Sequence, residues 1–239
     1  MGLSKNHLKL ITSLSQKKYR QKHNLFVAEG MKVVDEFLQS SFQLEILFST
    51  EGSFSYLDSF VEVSEQELKK ISALKTPNKV LAVFKIPKVE IVKPSGFIVA
   101  LDSINDPGNL GTIIRLCDWF GIEQLICSKD TVDCYNAKVV QASMGSLTRM
   151  NIIYTDLLDY FKDSSLPIFI ADMDGKNIYS SKLPSEAILI MGNEANGVSD
   201  KIRAVITDKI SIPRFGKSQE TESLNVATAT AILLSEFRR

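Results

Sequence analysis

Cysteine and histidine are scarce in this sequence, and their scarcity closes several chemistries at once. Three cysteines, Cys117, Cys127 and Cys134, and two histidines, His7 and His23, are all that the 239 residues contain. An odd number of cysteines with no C-x-x-C pair supports neither a disulfide framework nor a zinc site, and it fits a reducing cytoplasm. Both histidines lie near the start of the chain, far in sequence from every other candidate site. A Ser/His/Asp hydrolase or a histidine-ligated metal centre is therefore not expected. No apolar run approaches the ~18 residues of a membrane span, and the first residues lack the apolar core of a secretory signal.

Glycine is also limited, and its spacing decides a second question. No two of the twelve glycines stand two residues apart, so the G-x-G-x-x-G fingerprint of a dinucleotide-binding fold cannot be placed, nor can the glycine-rich loop of the common methyltransferase class. The triplet Gly216, Lys217, Ser218 resembles the end of a phosphate-binding loop. Its required first glycine would fall at Ser211, however, and Pro213 interrupts the loop.

Net charge is absent as well, with 28 basic against 28 acidic residues. That balance hides an asymmetry. The stretch from Met1 to Gly30 carries Lys5, Lys9, Lys17, Lys18, Arg20 and Lys22 against Glu29 alone, which reads either as a solvated helix face or as a polyanion contact.

What is present is ordinary globular composition, 44% hydrophobic and 23% charged, in a chain long enough for two cores. The first part alternates a basic helix over about Leu8 to Arg20, the strand "LFVAEG", the helix "KVVDEFLQS", the strands "LEILFST" and "VEVS", the helix "EQELKKISAL" and the strand "VLAVFKI". A Pro-containing linker at 89–95 separates this small α/β domain (1–88) from a second part (96–239). There, short apolar strands alternate with helices, the pattern of an α/β fold with a mostly parallel sheet and helices on both faces.

Ligands of such sheets bind beyond the carboxyl ends of the strands. Three strand ends carry loops rich in small and amide residues: "NDPGNLG", "GNEANGVS" and "PRFGKSQETES". Any one of them alone could simply cap a helix; three on one rim point to a site.

These residues carry a resemblance. "NDPGNLGTIIRLCDWFG", "LIMGNEANGVS" and "IPRFGKSQETESLNVATATAILL" are similar, in order and in place, to the three motifs of the SpoU (TrmH-like) family of RNA ribose 2′-O-methyltransferases in the SPOUT superfamily. "KKYRQKHNLFVAEGMKVVDEFL" resembles the substrate-binding domain that often precedes the catalytic domain. The resemblance implies S-adenosylmethionine as methyl donor, a homodimer and a C-terminal trefoil knot, which nothing else in the sequence suggests. It assigns catalytic roles to Asn109, Arg115, Glu194, Ser223 and Asn225, and donor binding to Met191, Gly192, Asn193, Ile212, Pro213 and Leu224. It implies RNA as substrate, ribosomal ahead of transfer RNA, with Lys17, Lys18, Arg20 and Lys22 as phosphate contacts. The alternative is a non-catalytic RNA-binding or ribosome-assembly factor of the same fold. Two departures stand out: the loop from Lys217 to Glu222 exceeds the family's usual spacer, and Arg214 occupies a position that is often methionine.

Overall fold

The computed structural model describes residues 2–89, 94–162, 164–216, 218 and 222–239. In chain order the elements begin with α1 (Lys5–Ser13), α2 (Lys17–His23), β1 (Leu25–Glu29), α3 (Met31–Leu38), β2 (Leu44–Ser49), β3 (Phe60–Glu62), α4 (Glu65–Ile71) and β4 (Val80–Lys85). They continue with β5 (Phe97–Asp102), α5 (Pro107–Trp119), β6 (Gln124–Ser128), α6 (Ala137–Ser143), β7 (Asn151–Thr155), α7 (Leu157–Lys162), β8 (Ile168–Asn177), β9 (Ala187–Gly192), α8 (Asp200–Arg203), β10 (Lys209–Ser211) and α9 (Val226–Phe237). They form two compact units: Met1–Lys88 with Asp133–Thr148, and Val89–Val132 with Arg149–Arg239.

In the first unit a four-stranded sheet runs in the order β1-β4-β2-β3. β4 is antiparallel to both β1 and β2, while β3 runs parallel to β2. Four phenylalanines, Phe26, Phe37, Phe48 and Phe84, are fully buried, and three of them meet ring to ring, Phe26 with Phe37 at 5.3 Å and Phe37 with Phe84 at 5.2 Å. Burying such rings supplies much of the stability of a small unit. α4 opens with a capping box in which the Ser64 hydroxyl accepts from the Glu67 main chain and the Glu67 carboxylate accepts from the Ser64 N–H at 2.9 Å. The same carboxylate accepts from the Leu3 N–H at 3.1 Å, fastening the N-terminus.

Two expectations change here. The single basic helix is two short ones, because α1 ends at the Leu14 cap and α2 starts afresh at Lys17. α6, expected to cover the larger sheet, packs on β1 instead. Its segment brings Tyr135 against Phe26 at 4.8 Å and Asp133 to Arg20.

In the second unit six strands run in the order β10-β8-β9-β5-β6-β7, every pair parallel. The central strands "FIVALD" and "AILIMG" are apolar and buried almost throughout, as strands covered on both faces must be. β5 has β6 on one side and β9 on the other, so the chain reverses its direction of build across the sheet between β5 and β9. Loops diverge beyond the carboxyl ends at such a switch, leaving a crevice. The β8–β9 ladder stops at the Ile170–Ile190 pair, two residues before β9 itself ends. Between its two pairings with β10, at Ile170 and at Lys176, β8 makes an excursion. The excursion closes on Gly175, where an added Cβ would lie 2.5 Å from the Ile210 nitrogen. α9 packs against α5 and β9, and its C-cap residue Arg238 donates to the carbonyls of Phe120 (3.0 Å) and Gly121 (2.7 Å) just past α5. α8 is shorter than "SDKIRAVI" suggests, ending at Arg203. No helix among the described residues is long and apolar enough to cross a membrane.

Candidate active site

The three motif loops lie at the carboxyl ends of β5, β9 and β10, and side-chain amides join them. The first loop enters α5 through Asp106, the N-cap, whose carboxylate accepts from the Asn109 N–H at 2.8 Å, with Pro107 at the first helical position. Asn109 is thereby fixed in the first turn. Its Nδ2 donates to Glu194 Oε1 at 3.0 Å, and its Oδ1 accepts from Asn225 Nδ2 at 2.9 Å. Asn225 is itself the N-cap of α9, its Oδ1 accepting from the N–H groups of Ala227 (3.0 Å) and Thr228 (3.2 Å). One residue from each motif therefore meets in a single chain, Asn225 to Asn109 to Glu194.

Glu194 collects more than Asn109. Its carboxylate also accepts from the N–H groups of Asn105 and Asp106, each at 3.3 Å, so it organises the loop before α5 rather than the start of α8. Burial alone would raise its carboxyl pKa, but the Asn109 amide and the main-chain donors outweigh burial and hold it below the usual glutamate value. The carboxylate is charged at neutral pH.

The second loop is closed by reciprocal Asn193–Gly197 main-chain bonds of 2.9 Å. The Asn193 side chain donates to the Ser103 carbonyl at 2.7 Å and accepts from the N–H groups of Ala195 and Asn196. Gly192 is required by space: an added Cβ would stand 2.2 Å from the Gly197 carbonyl carbon and from the Val198 nitrogen. Met191 is buried within the sheet, so its side chain serves as packing.

Arg115 lies on the exposed face of α5, and its side chain makes no hydrogen bond or ion pair with any described residue. Its guanidinium is available to an anion. Trp119, one turn further along, is 84% exposed.

In the third motif Ile212 and Pro213 are half-buried, while Ser223 and Leu224 are exposed. The main-chain N–H groups of Ile212 and Leu224 donate to no described residue. Ser223 is not drawn into the amide chain, and the cap of α9 belongs to Asn225. Of the long loop, Lys217 and residues 219–221 lie outside the described residues. At its neck the Arg214 guanidinium donates to the Glu222 carbonyl at 2.8 Å and reaches the Met173 sulfur at 3.0 Å.

The basic residues of the first unit divide. Lys17, Lys18 and Lys22 are exposed on α2, and the Lys18 ammonium sits 4.9 Å from the Tyr19 ring centroid. Arg20 departs from the expectation of a phosphate contact. It is 3% exposed, its Nη2 lies 2.6 Å from Asp133, and its Nη1 donates to the Leu14 and Ser15 carbonyls. A guanidinium so committed cannot also serve a phosphate without breaking a buried pair.

Two residues that positional reasoning passed over belong to the site's frame. Asp102, buried at the end of β5, accepts from the Ser199 N–H at 2.7 Å and so tethers the far end of the second loop. Arg203 donates from Nε to the Val198 carbonyl at 2.8 Å and pairs with Asp172. The signal for Asp102 was available in the sequence as a carboxylate ending an otherwise apolar strand. All three cysteines are buried, and burial first, then Asp118, pushes the Cys117 thiol far up, so it is no nucleophile.

Residues 96–235 match the SpoU rRNA methylase family and residues 5–82 match the MRM3-like substrate-binding domain. The chain is 30% identical over 234 residues to 23S rRNA (guanosine(2553)-2′-O)-methyltransferase RlmP of Bacillus subtilis, covering 94% of this chain and 93% of that protein. Its structure is similar to that of a TrmH-family protein from Porphyromonas gingivalis (TM-score 0.89, 38% identity, covering 99% and 98% of the two chains). It is also similar to the AdoMet-bound rRNA methyltransferase of Sinorhizobium meliloti (TM-score 0.87, 27% identity, 100% and 97%). The parallel sheet with its broken β8 ladder is thus the SPOUT knot fold, and the chain belongs to the SpoU rRNA methylase family of S-adenosylmethionine-dependent RNA methyltransferases.

Proposed function

We propose that this chain methylates a ribose 2′-oxygen in structured RNA, ribosomal RNA ahead of transfer RNA, with residues 1–88 binding the RNA and residues 96–239 carrying the reaction. The observation that carries the reading is the Asn225–Asn109–Glu194 chain at the start of α5, together with the exposed Arg115 further along the same helix, whose side chain no described residue engages. The ribosomal preference rests on RlmP, whose name gives a guanosine 2′-oxygen of 23S rRNA as its target.

The main-chain groups around the crevice suit S-adenosylmethionine. Ile212 and Leu224 offer N–H groups that no described residue accepts, their side chains offer apolar contact, and Gly192 and Asn193 hold the second loop at the end of β9. Together with Met191 and Pro213 these residues would hold the donor. Bound there, it supplies a methyl carbon on a positively charged sulfur.

The chain's own residues do the rest. Displacement at carbon requires the ribose oxygen to be held in line with the carbon–sulfur bond while its proton leaves. Arg115 anchors the phosphate next to the target ribose and stabilises negative charge growing on the oxygen; a guanidinium keeps its proton to above about pH 12 and is poorly suited to act as base. Glu194, through Asn109, fixes the amide that faces the ribose, and Asn225 ties that amide to α9. Ser223, exposed beside them, contacts the target nucleotide. Lys17, Lys18 and Lys22 add contacts that do not depend on sequence.

The proposal extends to a homodimer formed through the catalytic unit, with exposed Trp119 on α5 and Phe215 beyond β10 as candidate contact residues. Three buried cysteines, none joined in a disulfide, support a reducing cytoplasm as the compartment.

Calorimetric titration with S-adenosylmethionine, followed by mapping of 2′-O-methylation in RNA from cells with and without the protein, tests the reading. Donor binding with one methylated position lost is expected. No binding at millimolar donor overturns it; binding with no methylation lost favours a non-catalytic RNA-binding factor.

A further inference from the structure

Beneath the crevice lies a second polar cluster that the amide chain does not use. The Asp172 side chain, in the β8 excursion, is only 8% exposed. Its Oδ2 pairs with Arg203 Nη1 and lies 3.3 Å from Lys209 Nζ, and its Oδ1 accepts from the Asp174 N–H at 3.2 Å. Each partner belongs to a different wall. Arg203, on α8, donates from Nε to the Val198 carbonyl at 2.8 Å, and its Nη2 lies 3.1 Å from where a Cβ on Gly197 would stand. It therefore props the loop 193–199, which carries Glu194. Lys209 opens β10, whose chain reaches Ile212 and Pro213 three and four residues later. The Ser211 hydroxyl adds a bond of 2.8 Å to the Gly175 carbonyl in the same excursion. One carboxylate thus ties together the two segments to which the reading above assigns the methyl donor.

We propose that Asp172 is a positioning residue for the donor site, fixing through Arg203 and Lys209 the spacing between the loop 193–199 and the segment Ile212–Pro213. The proposal rests on the methyl-transfer reading above. A carboxylate suits the role because it accepts along several directions at once and binds both cations in a partly dry setting, where such bonds are about twice as strong as neutral ones. An asparagine keeps the shape but loses the charge that holds two cations together. The walls then separate or shift, and what suffers is the fit of the donor. RNA contact made elsewhere is untouched.

The test uses the full chain, with S-adenosylmethionine titrated calorimetrically and turnover measured on a target RNA. Asp172→Asn is expected to raise the donor Kd and KM about tenfold or more, with kcat at saturating donor and RNA affinity within about twofold of the parent. Arg203→Lys keeps the positive charge but removes the Nε bond to Val198, and it is expected to weaken donor binding in the same direction while retaining the fold. Asp172→Glu, which keeps the charge at a different reach, is expected to recover part of the lost affinity. A variant that melts at lower temperature yet binds donor with parental affinity overturns the proposal and leaves Asp172 a purely structural residue. Parental protein that binds no donor at all overturns the methyl-transfer reading instead, so the two failures are distinguishable.

Discussion

Asn109 holds Glu194 with its amide nitrogen at 3.0 Å and Asn225 with its amide oxygen at 2.9 Å. A primary amide donates from its nitrogen and accepts at its oxygen, so one asparagine side chain can bond a carboxylate and a second amide at once. Asn109→Asp removes the donor and sets a second negative charge against Glu194, and Asn109→Ala removes both bonds. Turnover is expected to fall about 100-fold in either variant, with a stability loss of about 1 kcal/mol or less because the bonds are exposed. Single-turnover rates beside thermal melts check this, and a turnover within twofold of parent removes Asn109 from the mechanism.

The Arg115 side chain has no partner among the described residues, so its removal is expected to leave the fold's stability near the parent's. Arg115→Ala is expected to leave donor affinity near normal and to lower turnover by roughly 100- to 1000-fold. Arg115→Lys restores little, because a point charge does not reproduce a planar fork on phosphate. Retained turnover in the alanine variant excludes it from the reaction.

The charge on Glu194 sets a pH limit. Its folded pKa lies below the ordinary value of 4.5, so the carboxylate's contribution to loop order is complete above that value and is lost as pH falls through the lowered one. An acid limb in kcat/KM that belongs to Glu194 is therefore expected below pH 4.5, and Glu194→Gln is expected to remove it. A limb near neutrality that survives the substitution reports a different group.

Gly192 and Gly216 give opposite outcomes for the same substitution. Gly192→Ala pushes a methyl group into the main chain of Gly197 and Val198, 2.2 Å away, and backbone cannot step aside as a side-chain tip can. A loss of about 1–3 kcal/mol or more is expected, together with donor binding. Gly216→Ala meets nothing within 4 Å and is expected to be neutral in both measurements.

Loss of Arg20 and loss of the exposed lysines are separable by the same pair of measurements. Arg20→Ala strands the Asp133 carboxylate and is expected to cost about 3–5 kcal/mol. Lys17, Lys18 and Lys22 changed together to alanine leave the melting temperature near the parent's and flatten the salt dependence of RNA binding. An unchanged salt slope removes this helix from the RNA contact.

Local sequence carried the motif loops, because the Asn-Asp-Pro-Gly stretch before α5 and the amide caps are short-range chemistry readable residue by residue. It carried the strands of the parallel sheet for the same reason, each being a short apolar run between turns. It did not carry the break between α1 and α2, where one basic pattern continues across a cap. It did not show that Arg20 is buried either, since its partner stands 113 residues away. The meeting of Asn225 with Asn109 across 116 residues is likewise a product of topology. Sequence similarity could bring those motifs together on the page, but not in contact.

The crossover from Asp133 to Thr148 has a practical consequence. Because it is packed with the first unit, a fragment cut at Lys88 would keep Arg20 but lose its partner Asp133, and would bare Phe26 where Tyr135 now lies. The catalytic stretch expressed alone would carry a helix whose packing surface had been left behind. Neither half is a self-sufficient piece of polypeptide, so a gene truncated between them yields two poorer folders rather than two working modules.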